Sequence, residues 1–379
     1  MTSASQPLVS IVTPVYNGAV YLSECIESVL AQTHQNWDYT IVNNCSTDNS
    51  AEIARRYAAK DPRIRIHDNS EFLRVIPNHN AALRLISPSS RYCKMVFADD
   101  WMFPECLEQM VSLAEEYPSA AIIGGYVLQG REVICTGLPY SCKVVRGIEI
   151  CRQHFLKRLY VFGSANAVLY RSALVRERDP FFNEANIHGD TEACFAILKN
   201  WDFGFVHQVL TFTRVRPGSL TTLSSDLQTS LAGMLQNLVR HGSAYLTSEE
   251  LKERLDSHLV AYYRFLGKSL LLRDEKTIHY HRKKLIEAGI GFSWWRVVKG
   301  ALAVLSDLAL NPKNTIEKLL KVEDKTSFPE LKKELETRSN HVPVRNTPGA
   351  AQLEPVTDAD LSDLRLGKNP RPGETIGDA

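Results

Sequence analysis

Residues 92–104 have the sequence YCKMVFADDWMFP. The largely apolar run Tyr92–Phe97 favours a buried strand, which leads into the adjacent carboxylates Asp99 and Asp100. Pro104 is typical of the first turn of a helix, so a helix is expected to follow directly. Ligands of open α/β sheets bind outside the carboxyl ends of the strands, and a buried carboxylate without a partner is costly. The acidic pair is therefore expected to face a partner at this edge of the sheet.

Two partners fit the acidic pair. A divalent cation is one, because hard oxygen ligands suit Mg²⁺ or Mn²⁺, which in turn carry substrate phosphates. The other is a helix cap, in which Asp100 accepts hydrogen bonds from the free backbone N–H groups of the next helix. The two residues alone favour the cap, and the rest of the chain favours the metal.

Length and composition limit the classes of protein. A chain of 379 residues exceeds the usual size of one domain, so a core domain with an appendage is expected. The net charge of +1 gives no general attraction to nucleic acid, which is therefore not an expected partner. The eight cysteines form no CxxC pair, so no zinc site is expected. We expect most of them to be small apolar core residues of a protein in a reducing compartment.

The pattern at the N-terminus also bears on location. Residues 1–7 lack the basic and then apolar layout of a secretory signal. No uncharged apolar run reaches the roughly 18 residues that a membrane span needs. The sequence therefore predicts a cytoplasmic protein without a membrane-spanning helix.

Strands alternate with helices through the first hundred residues. Apolar, β-branched runs at 8–13, 39–43 and 64–67 predict strands, and helical spacing of apolar residues follows each of them. This alternation predicts parallel βαβ units with right-handed crossovers, and hence an α/β fold with a Rossmann-like, nucleotide-binding mixed sheet flanked by helices. The GxGxxG and GxxxxGK[ST] phosphate loops do not occur, so a metal and side chains would have to hold the phosphates of a bound nucleotide.

Four motifs in this order carry a family resemblance. They are VSIVTPVYN at 9–17, QT at 32–33, NNCSTD at 43–48 and the strand end at Asp99 and Asp100. Together they resemble family 2 glycosyltransferases of the GT-A fold, with the resemblance covering roughly residues 7–220. A set of four motifs in order and spacing is far more specific than any one of them.

The resemblance implies a nucleotide site after the first two strands. Pro14, Tyr16 and Asn17 correspond to the nucleotide cradle, and Asn44 stands where the family usually has an aspartate that accepts from the base. An asparagine can still accept through its amide oxygen. Arg74 stands where some relatives have an arginine near the nucleotide, and its alternative is an ordinary exposed loop residue.

The resemblance also assigns the diphosphate region. Asp99 and Asp100 match the DXD-type motif, Asp99 toward the ribose or the metal and Asp100 as a metal ligand, although Phe97 replaces a further acidic residue. Arg214 matches a family arginine, and Arg216 replaces a histidine. Two guanidinium groups could clamp a diphosphate, or they could be ordinary loop cations.

The catalytic base is expected in the stretch NEANIHGDTE at 183–192. By resemblance, Asp190 corresponds to the aspartate that serves as general base, with Gly189 in place of the usual preceding glutamate. Glu192 is the second candidate for the base, and His188 is the third. The structural alternative is that Asp190 only caps the helix that follows.

The C-terminal part is helical and basic. We predict a catalytic domain over 1–224, an amphipathic helical region over 225–325 and a disordered tail over 326–379. Residues 261–321 contain twelve Lys and Arg against five Asp and Glu, so this stretch is basic although the net charge of the whole chain is only +1. The stretch 290–310, with Trp294 and Trp295, could lie on the inner face of an anionic cell membrane, pack on the catalytic domain, or join two subunits of a homodimer.

The resemblance thus implies a metal-dependent, inverting hexosyltransferase. It would move a sugar from a nucleotide-diphosphate sugar, most simply a UDP-sugar, to a hydroxyl of a glycan or lipid-linked acceptor in cell-surface polysaccharide assembly. Two alternatives stay open: a non-catalytic nucleotide-sugar-binding or scaffold subunit of the same fold, and a sugar nucleotidyltransferase. The departures at Asn44, Phe97, Gly189 and Arg216 motivate the scaffold alternative, and the lack of a glycine- and lysine-rich phosphate loop argues against the nucleotidyltransferase.

Overall fold

The structure is a computed structural model that describes residues 6–216 and 219–310. The strands are β1 (Val9–Val15), β2 (Trp37–Asn43), β3 (Ile64–Asp68), β4 (Tyr92–Met95), β5 (Trp101–Met102), β6 (Ala120–Gln129), β7 (Glu132–Ile134), β8 (Val144–Val145), β9 (Leu169–Arg171) and β10 (Asp202–Thr213). The helices are α1 (Ala19–Leu30), α2 (Ser50–Ala58), α3 (Val75–Arg84), α4 (Cys106–Glu116), α5 (Gly147–Phe155), α6 (Ser172–Glu177), α7 (Gly189–Leu198), α8 (Leu220–Asp226), α9 (Thr229–His241), α10 (Ser248–Leu271), α11 (Glu275–Glu287) and α12 (Trp294–Leu310).

One mixed sheet joins the ten described strands. Its order is β3-β2-β1-β4-β9-β6-β10-β5, with β7 beside β6 and β8 beside β10. The strands β1 to β4 are parallel, as the βαβ alternation predicts, and β6 is parallel to β10. The strand β9 lies between β4 and β6 and is antiparallel to both. The predicted Rossmann-like mixed sheet with flanking helices is confirmed.

Apolar spacing explains how the first layer packs. Every residue of β1 is buried, as expected for a strand covered on both faces. In α1 the buried residues include Leu22, Ile26 and Val29, which recur at the three- and four-residue spacing of one helix face. This packing leaves the loops after β1 and β2 at one edge of the sheet, where the polar motifs lie.

The segment after the acidic pair differs from its sequence prediction. The chain does not enter a helix directly but first forms the short strand β5, which pairs antiparallel with β10. Trp101 stacks on Phe212 of β10 with ring centroids 4.9 Å apart, and this aromatic contact accounts for the pairing. The helix α4 begins only at Cys106.

The chain divides into two compact units. Among the described residues, unit 1 comprises 6–216, 219–259 and 284–290, and unit 2 comprises 260–283 and 291–310. The sequence placed the end of the catalytic domain at residue 224, whereas α9 and the first half of α10 group with the sheet in unit 1. The tail predicted for 326–379 lies outside the described residues. None of the helices in the described ranges combines the length and apolar character needed to cross a membrane.

Within unit 2, two helices approach each other at glycines. A Cβ atom on Gly300 of α12 would lie 2.1 Å from the carbonyl oxygen of Tyr263 in α10. A Cβ atom on Gly267 would lie 2.2 Å from the backbone nitrogen of Ala301. Both distances are far below van der Waals contact with backbone atoms that cannot turn away, so the two helix backbones pack directly on each other.

We therefore predict that Gly300→Ala destabilises unit 2 by about 2 kcal/mol, because the added methyl group must push the two helices apart. An alanine normally stabilises a helix by about 1 kcal/mol relative to glycine, so the expected sign is opposite to that of helix propensity. Urea unfolding followed by circular dichroism measures the change. The matched control is Lys299→Ala, at the exposed position before it, which should change stability by less than about 0.5 kcal/mol. An equal or greater stability of Gly300→Ala would contradict the close packing.

Candidate active site

The first wall of the site is built from the loops after β1 and β2. The Asn17 Oδ1 atom accepts a hydrogen bond from the backbone N–H of Thr47 at 2.8 Å. In return, Asp48 Oδ2 accepts from the backbone N–H of Ala19 at 3.0 Å and satisfies a free donor at the start of α1. The two loops are therefore locked together. Asn17 has a φ of +49°, a left-handed conformation that asparagine tolerates better than most residues.

The other predicted cradle residues line the same edge. Pro14 is buried in β1, whereas the ring of Tyr16 is 44% exposed and meets the ring of Phe72 edge to face at 4.8 Å. Arg74 is exposed and precedes the first residue of α3. The geometry thus offers an exposed aromatic surface and a nearby guanidinium group on the rim of this edge.

Asn44 is buried, and its side chain is largely engaged within the protein. Its Oδ1 atom accepts hydrogen bonds from the backbone N–H of Leu73 and from Asn69 Nδ2, both at 2.9 Å. Its Nδ2 atom donates to the carbonyl oxygen of Leu73 at 2.7 Å. An ionised aspartate could not make this last bond, because a carboxylate has no donor. The amide therefore ties the loop 69–73 to the end of β2.

Asp100 is only 3% exposed, and each of its oxygens has a donor from a distant part of the chain. The backbone N–H of Arg214 donates to Oδ1 at 2.9 Å, and Asn166 Nδ2 donates to Oδ2 at 3.1 Å. Neither donor belongs to α4, so the helix-cap interpretation of Asp100 is wrong. Burial, and next the neighbouring charge of Asp99, raise the pKa of Asp100 to about 8.

Asp99 and the two predicted arginines form a compact charged group. Arg216 Nε lies 2.9 Å from Asp99 Oδ2 as an ion pair, and Arg214 Nε donates to the carbonyl oxygen of Asp99 at 3.0 Å. The Arg214 guanidinium also pairs with Glu24 at 2.5 Å and stacks over the ring of Tyr21 at 4.4 Å. Asp99 and Arg214, which are 115 positions apart in the sequence, are thus neighbours in the fold.

The acidic pair suits a divalent cation by its chemistry. Burial and the second carboxylate raise the pKa of Asp100 to about 8, and the nearby charge of Arg214 offsets this only in part, so further positive charge would stabilise the pair. A hard cation with oxygen ligands supplies that charge. No group of three or more His, Cys, Asp or Glu in the described residues forms a complete metal-binding cluster, so a bound ion would take the rest of its ligands from substrate or water.

Asp190 lies in the first turn of α7. The helix begins at Gly189, so Asp190 is inside the helix and not at the capping position predicted from the sequence, which His188 occupies. The backbone N–H groups of Ala165 and Thr191 donate to its two oxygens at 3.2 Å and 2.7 Å. Burial raises the pKa of Asp190, and the neighbouring His188 partly opposes this. A carboxylate with a raised pKa is suited to take up a proton near neutral pH.

His188 and Glu192 have other partners. His188 Nε2 lies 3.0 Å from Thr229 Oγ1, and burial lowers the pKa of the imidazole. Glu192 accepts hydrogen bonds from Asn183 at 2.9 Å, Asn186 at 2.7 Å and Arg240 at 2.8 Å. Burial by itself would raise the pKa of Glu192, but these donors and the adjacent His241 lower it to about 2. Of these groups, Asp190 is the best suited to accept a proton.

The structure adds two residues that sequence reasoning missed. Asn166 is fully buried and donates to Asp100, and Lys94 is fully buried in β4. A lysine inside an otherwise apolar strand was the one signal available for Lys94. Asn166 gave no signal of its own, because only the tertiary fold brings it to Asp100.

Solved structures show the class of fold. Crystal structures of S. aureus TarS 1–349, in complex with UDP and with UDP-GlcNAc, match with TM-scores of 0.56 and 0.55 at 16% identity. The matches cover 80% and 76% of this chain and 91% and 85% of those chains. At this identity the likeness establishes the fold, which is the GT-A fold of glycosyltransferases.

Sequence comparison gives the family. The family described as Glycosyl transferase family 2 matches residues 10–177. Glycosyltransferase GlyG of Streptococcus pneumoniae is 31% identical over 235 residues, which are 58% of this chain and 75% of GlyG. The putative teichuronic acid biosynthesis glycosyltransferase TuaG of Bacillus subtilis is 32% identical over 127 residues, 34% of this chain and 50% of TuaG. The chain belongs to glycosyltransferase family 2, and it spans half the length of TuaG.

The environment of Glu192 predicts an acid-sensitive contribution to stability. The folded-state pKa of about 2 lies below the ordinary value of 4.5, so the contribution is complete above pH 4.5 and is lost as the pH falls toward 2. We predict that Glu192→Gln is less stable than the parent by about 2 kcal/mol at pH 7, with a gap that narrows below pH 4.5. Urea unfolding at pH 7, 5 and 3.5 measures it, with exposed Glu71→Gln as the control. A gap that does not change with pH would contradict the charged network.

Proposed function

We propose that the chain is an inverting glycosyltransferase that moves a sugar from a nucleotide-diphosphate sugar, most simply a UDP-sugar, to an acceptor hydroxyl. The observation that carries the proposal is that one short turn donates hydrogen bonds to two carboxylates from different parts of the chain. Asn166 donates to Asp100 on the nucleotide side, and the adjacent Ala165 donates to Asp190. The likeness to TarS, whose structures hold UDP and UDP-GlcNAc, supports the choice of donor.

Asp190 would act as the general base. The two backbone N–H groups that hold its oxygens fix the direction of the carboxylate, and each oxygen keeps a second lone pair for the acceptor hydroxyl. As the acceptor oxygen bonds to the anomeric carbon, its proton passes to Asp190 and the bond from that carbon to the nucleotide diphosphate breaks. One displacement from the opposite face inverts the configuration. A base of this kind contributes on the order of 10²–10⁴ in rate.

Asp99 and Asp100 would hold Mg²⁺ or Mn²⁺, and Arg214 and Arg216 would face the same diphosphate. A bound divalent ion offsets the negative charge that develops on the departing diphosphate. Arg216 forms an ion pair with Asp99 at 2.9 Å. Because Asp99 would hold the metal ion, the Arg216 guanidinium lies close to where the phosphates would bind. Fixed positive groups of this kind stabilise the leaving group without reorganisation.

The acceptor would enter through a cavity of about 490 Å³ in unit 1. Its lining includes Lys157, Arg158 and Tyr160, so it combines cations with an aromatic ring. Tyr160 Oη donates to the carbonyl oxygen of Gly163 at 3.2 Å, and Gly163 is two residues before Ala165 in sequence. Cations beside an aromatic ring suit a glycan, or a lipid-linked acceptor with a phosphate group.

We place this activity in the assembly of a cell-surface polysaccharide, which the similarity to the putative teichuronic acid biosynthesis glycosyltransferase TuaG supports. Peripheral contact of residues 290–310 with the inner face of the cell membrane stays part of the proposal. Trp294 and Trp295 are 52% and 73% exposed at the start of α12, and the exposed Arg296 and Lys299 lie beside them. The same surface would serve a homodimer as the alternative.

A non-catalytic scaffold subunit of the same fold is the second candidate. Asn44 favours it, because the oxygen that would accept from the base already accepts from Leu73 and Asn69.

The first test separates nucleotide classes: a thermal-shift panel of UDP, GDP, dTDP and CMP, each with and without Mn²⁺. A nucleotide at about 100 times its Kd adds roughly 2.7 kcal/mol of stability. We expect the largest shift with UDP and only when Mn²⁺ is present. The absence of a shift with every nucleotide would reject the proposed donor site.

We predict that Asp190→Asn lowers kcat by about 10²–10⁴ and keeps the metal-dependent nucleotide shift, because the amide cannot accept the proton but fills the same space. Asp100→Ala should instead weaken the metal-dependent shift. Release of the nucleotide diphosphate and the sugar product, measured on a panel of acceptors, gives kcat. The control is Asp256→Asn, the same change at an exposed position of α10, which should leave kcat unchanged. Full activity of Asp190→Asn would remove Asp190 from the mechanism.

A further inference from the structure

Lys94 is a fully buried cation in the middle of the sheet. It lies in β4, is 0% exposed, and faces Ile11 of β1 and Leu169 of β9 in the strand register. Moving an ammonium group out of water is costly unless it is hydrogen-bonded, and burial accordingly lowers the pKa of Lys94. An apolar residue of the same size would fill this position without that cost.

Its ammonium group is directed at one short turn. The Nζ atom donates to the carbonyl oxygen of Asn166 and, at 3.2 Å, to the carbonyl oxygen of Val168. These carbonyls belong to the stretch Ser164–Val168, which we call the bridging turn. Its 3-10 conformation is closed by a hydrogen bond of 2.8 Å from the Ala167 N–H to the Ser164 carbonyl oxygen. Lys94 therefore anchors the main chain of the bridging turn to β4, the strand that precedes the acidic pair.

The bridging turn contacts both carboxylates of the candidate site. The Ala165 N–H donates to Asp190 Oδ2 at 3.2 Å, and Asn166 Nδ2 donates to Asp100 Oδ2 at 3.1 Å. Asn166 is fully buried, and its Oδ1 atom has no hydrogen-bond partner among the described residues. The side chain of Asn166 thus has a single hydrogen bond, to Asp100, and the direction of that bond depends on how the main chain of the turn is held.

We propose that Lys94 is a positioning residue that fixes the bridging turn and thereby sets where Asp100 and Asp190 lie relative to each other. It touches no reacting atom. Its effect on transfer rests on the proposed function, whereas its effect on the turn does not. A misplacement of about 1 Å between a base and a bound substrate can cost on the order of 10² in rate, so an anchor of this kind matters for chemistry more than for binding.

The test compares Lys94→Met with the parent in two measurements. Met has nearly the shape of Lys but donates no hydrogen bond. We expect hydrogen–deuterium exchange of the amides of Ala165 and Ala167 to become at least about tenfold faster, because the bridging turn has lost its anchor. We expect kcat to fall about 10- to 100-fold. The KM for the donor should change less than about threefold, because Asp100 keeps its hydrogen bond from the Arg214 N–H and the loops after β1 and β2 are untouched.

The control is Ile11→Ala, on the neighbouring strand and in register with Lys94. It destabilises the same part of the core and removes none of the hydrogen bonds of the bridging turn, so exchange in the turn and kcat should stay within about twofold of the parent at temperatures where it is folded. If Ile11→Ala speeds exchange in the turn as much as Lys94→Met does, the effect is general destabilisation and the proposal fails. If Lys94→Met does not fold, Lys94→Gln replaces it. Its amide nitrogen is one bond closer to Cα than Nζ and cannot hold both carbonyl oxygens, so the same faster exchange in the bridging turn is expected.

The two measurements separate this proposal from the proposed function. Unchanged exchange in the bridging turn of Lys94→Met overturns the anchoring, whatever the activity. Faster exchange with an unchanged kcat in an active parent overturns the positioning role and leaves the transferase standing. A parent that turns over no donor overturns the proposed function, and the exchange experiment then decides the anchoring alone.

Discussion

The site depends on the burial of a carboxylate that must still be hydrogen-bonded on both oxygens. Asp100 meets this requirement only because Arg214 and Asn166 reach it from two other parts of the chain. The direction of β9 is what brings Asn166 there. Since β9 is antiparallel to β4, the beginning of β9 meets the end of β4, and the turn before β9 lies beside the acidic pair. A parallel β9 would place that turn at the opposite edge, so the reversal in the sheet and the site are one feature.

In the proposed nucleotide site, the buried polar side chain is the amide of Asn44, and its oxygen and nitrogen are likewise hydrogen-bonded to another part of the chain. Asn44 both donates to and accepts from the backbone of Leu73, and it also accepts from Asn69. An amide can close such a pair of bonds with one residue, and an ionised carboxylate cannot. The loop 69–73 is consequently held at the end of β2 by a side chain of the cradle itself. Tyr16, whose ring meets Phe72 of that loop, is the exposed aromatic surface that would remain for a base in the proposed site.

The sequence was informative where a signal was local. Apolar, β-branched runs, each followed by apolar residues at helical spacing, predicted the parallel strands β1 to β4 and their helices, and four motifs predicted the family. It was uninformative where one residue depends on a distant partner. Trp101 enters a strand because Phe212 is beside it, and Asn166 matters because Asp100 is beside it. The ion pair of Arg216 with Asp99 likewise needs the sheet order, which periodicity does not contain. Lys94 was visible as a charge in an apolar strand, but its partners were not.

Two acidic residues of α7 show how environment separates roles that sequence cannot. Asp190 and Glu192 are two positions apart, and both were candidates for the base. Burial dominates at Asp190 and raises its pKa. At Glu192, His241 and the donors Asn186, Arg240 and Asn183 outweigh burial and lower the pKa to about 2. Groups whose pKa values are pushed apart in this way are suited to different tasks. Glu192 therefore stabilises the start of α7 as an anion at neutral pH. Asp190, in the same helix turn, keeps its direction through the N–H groups of Ala165 and Thr191 and its raised pKa through burial.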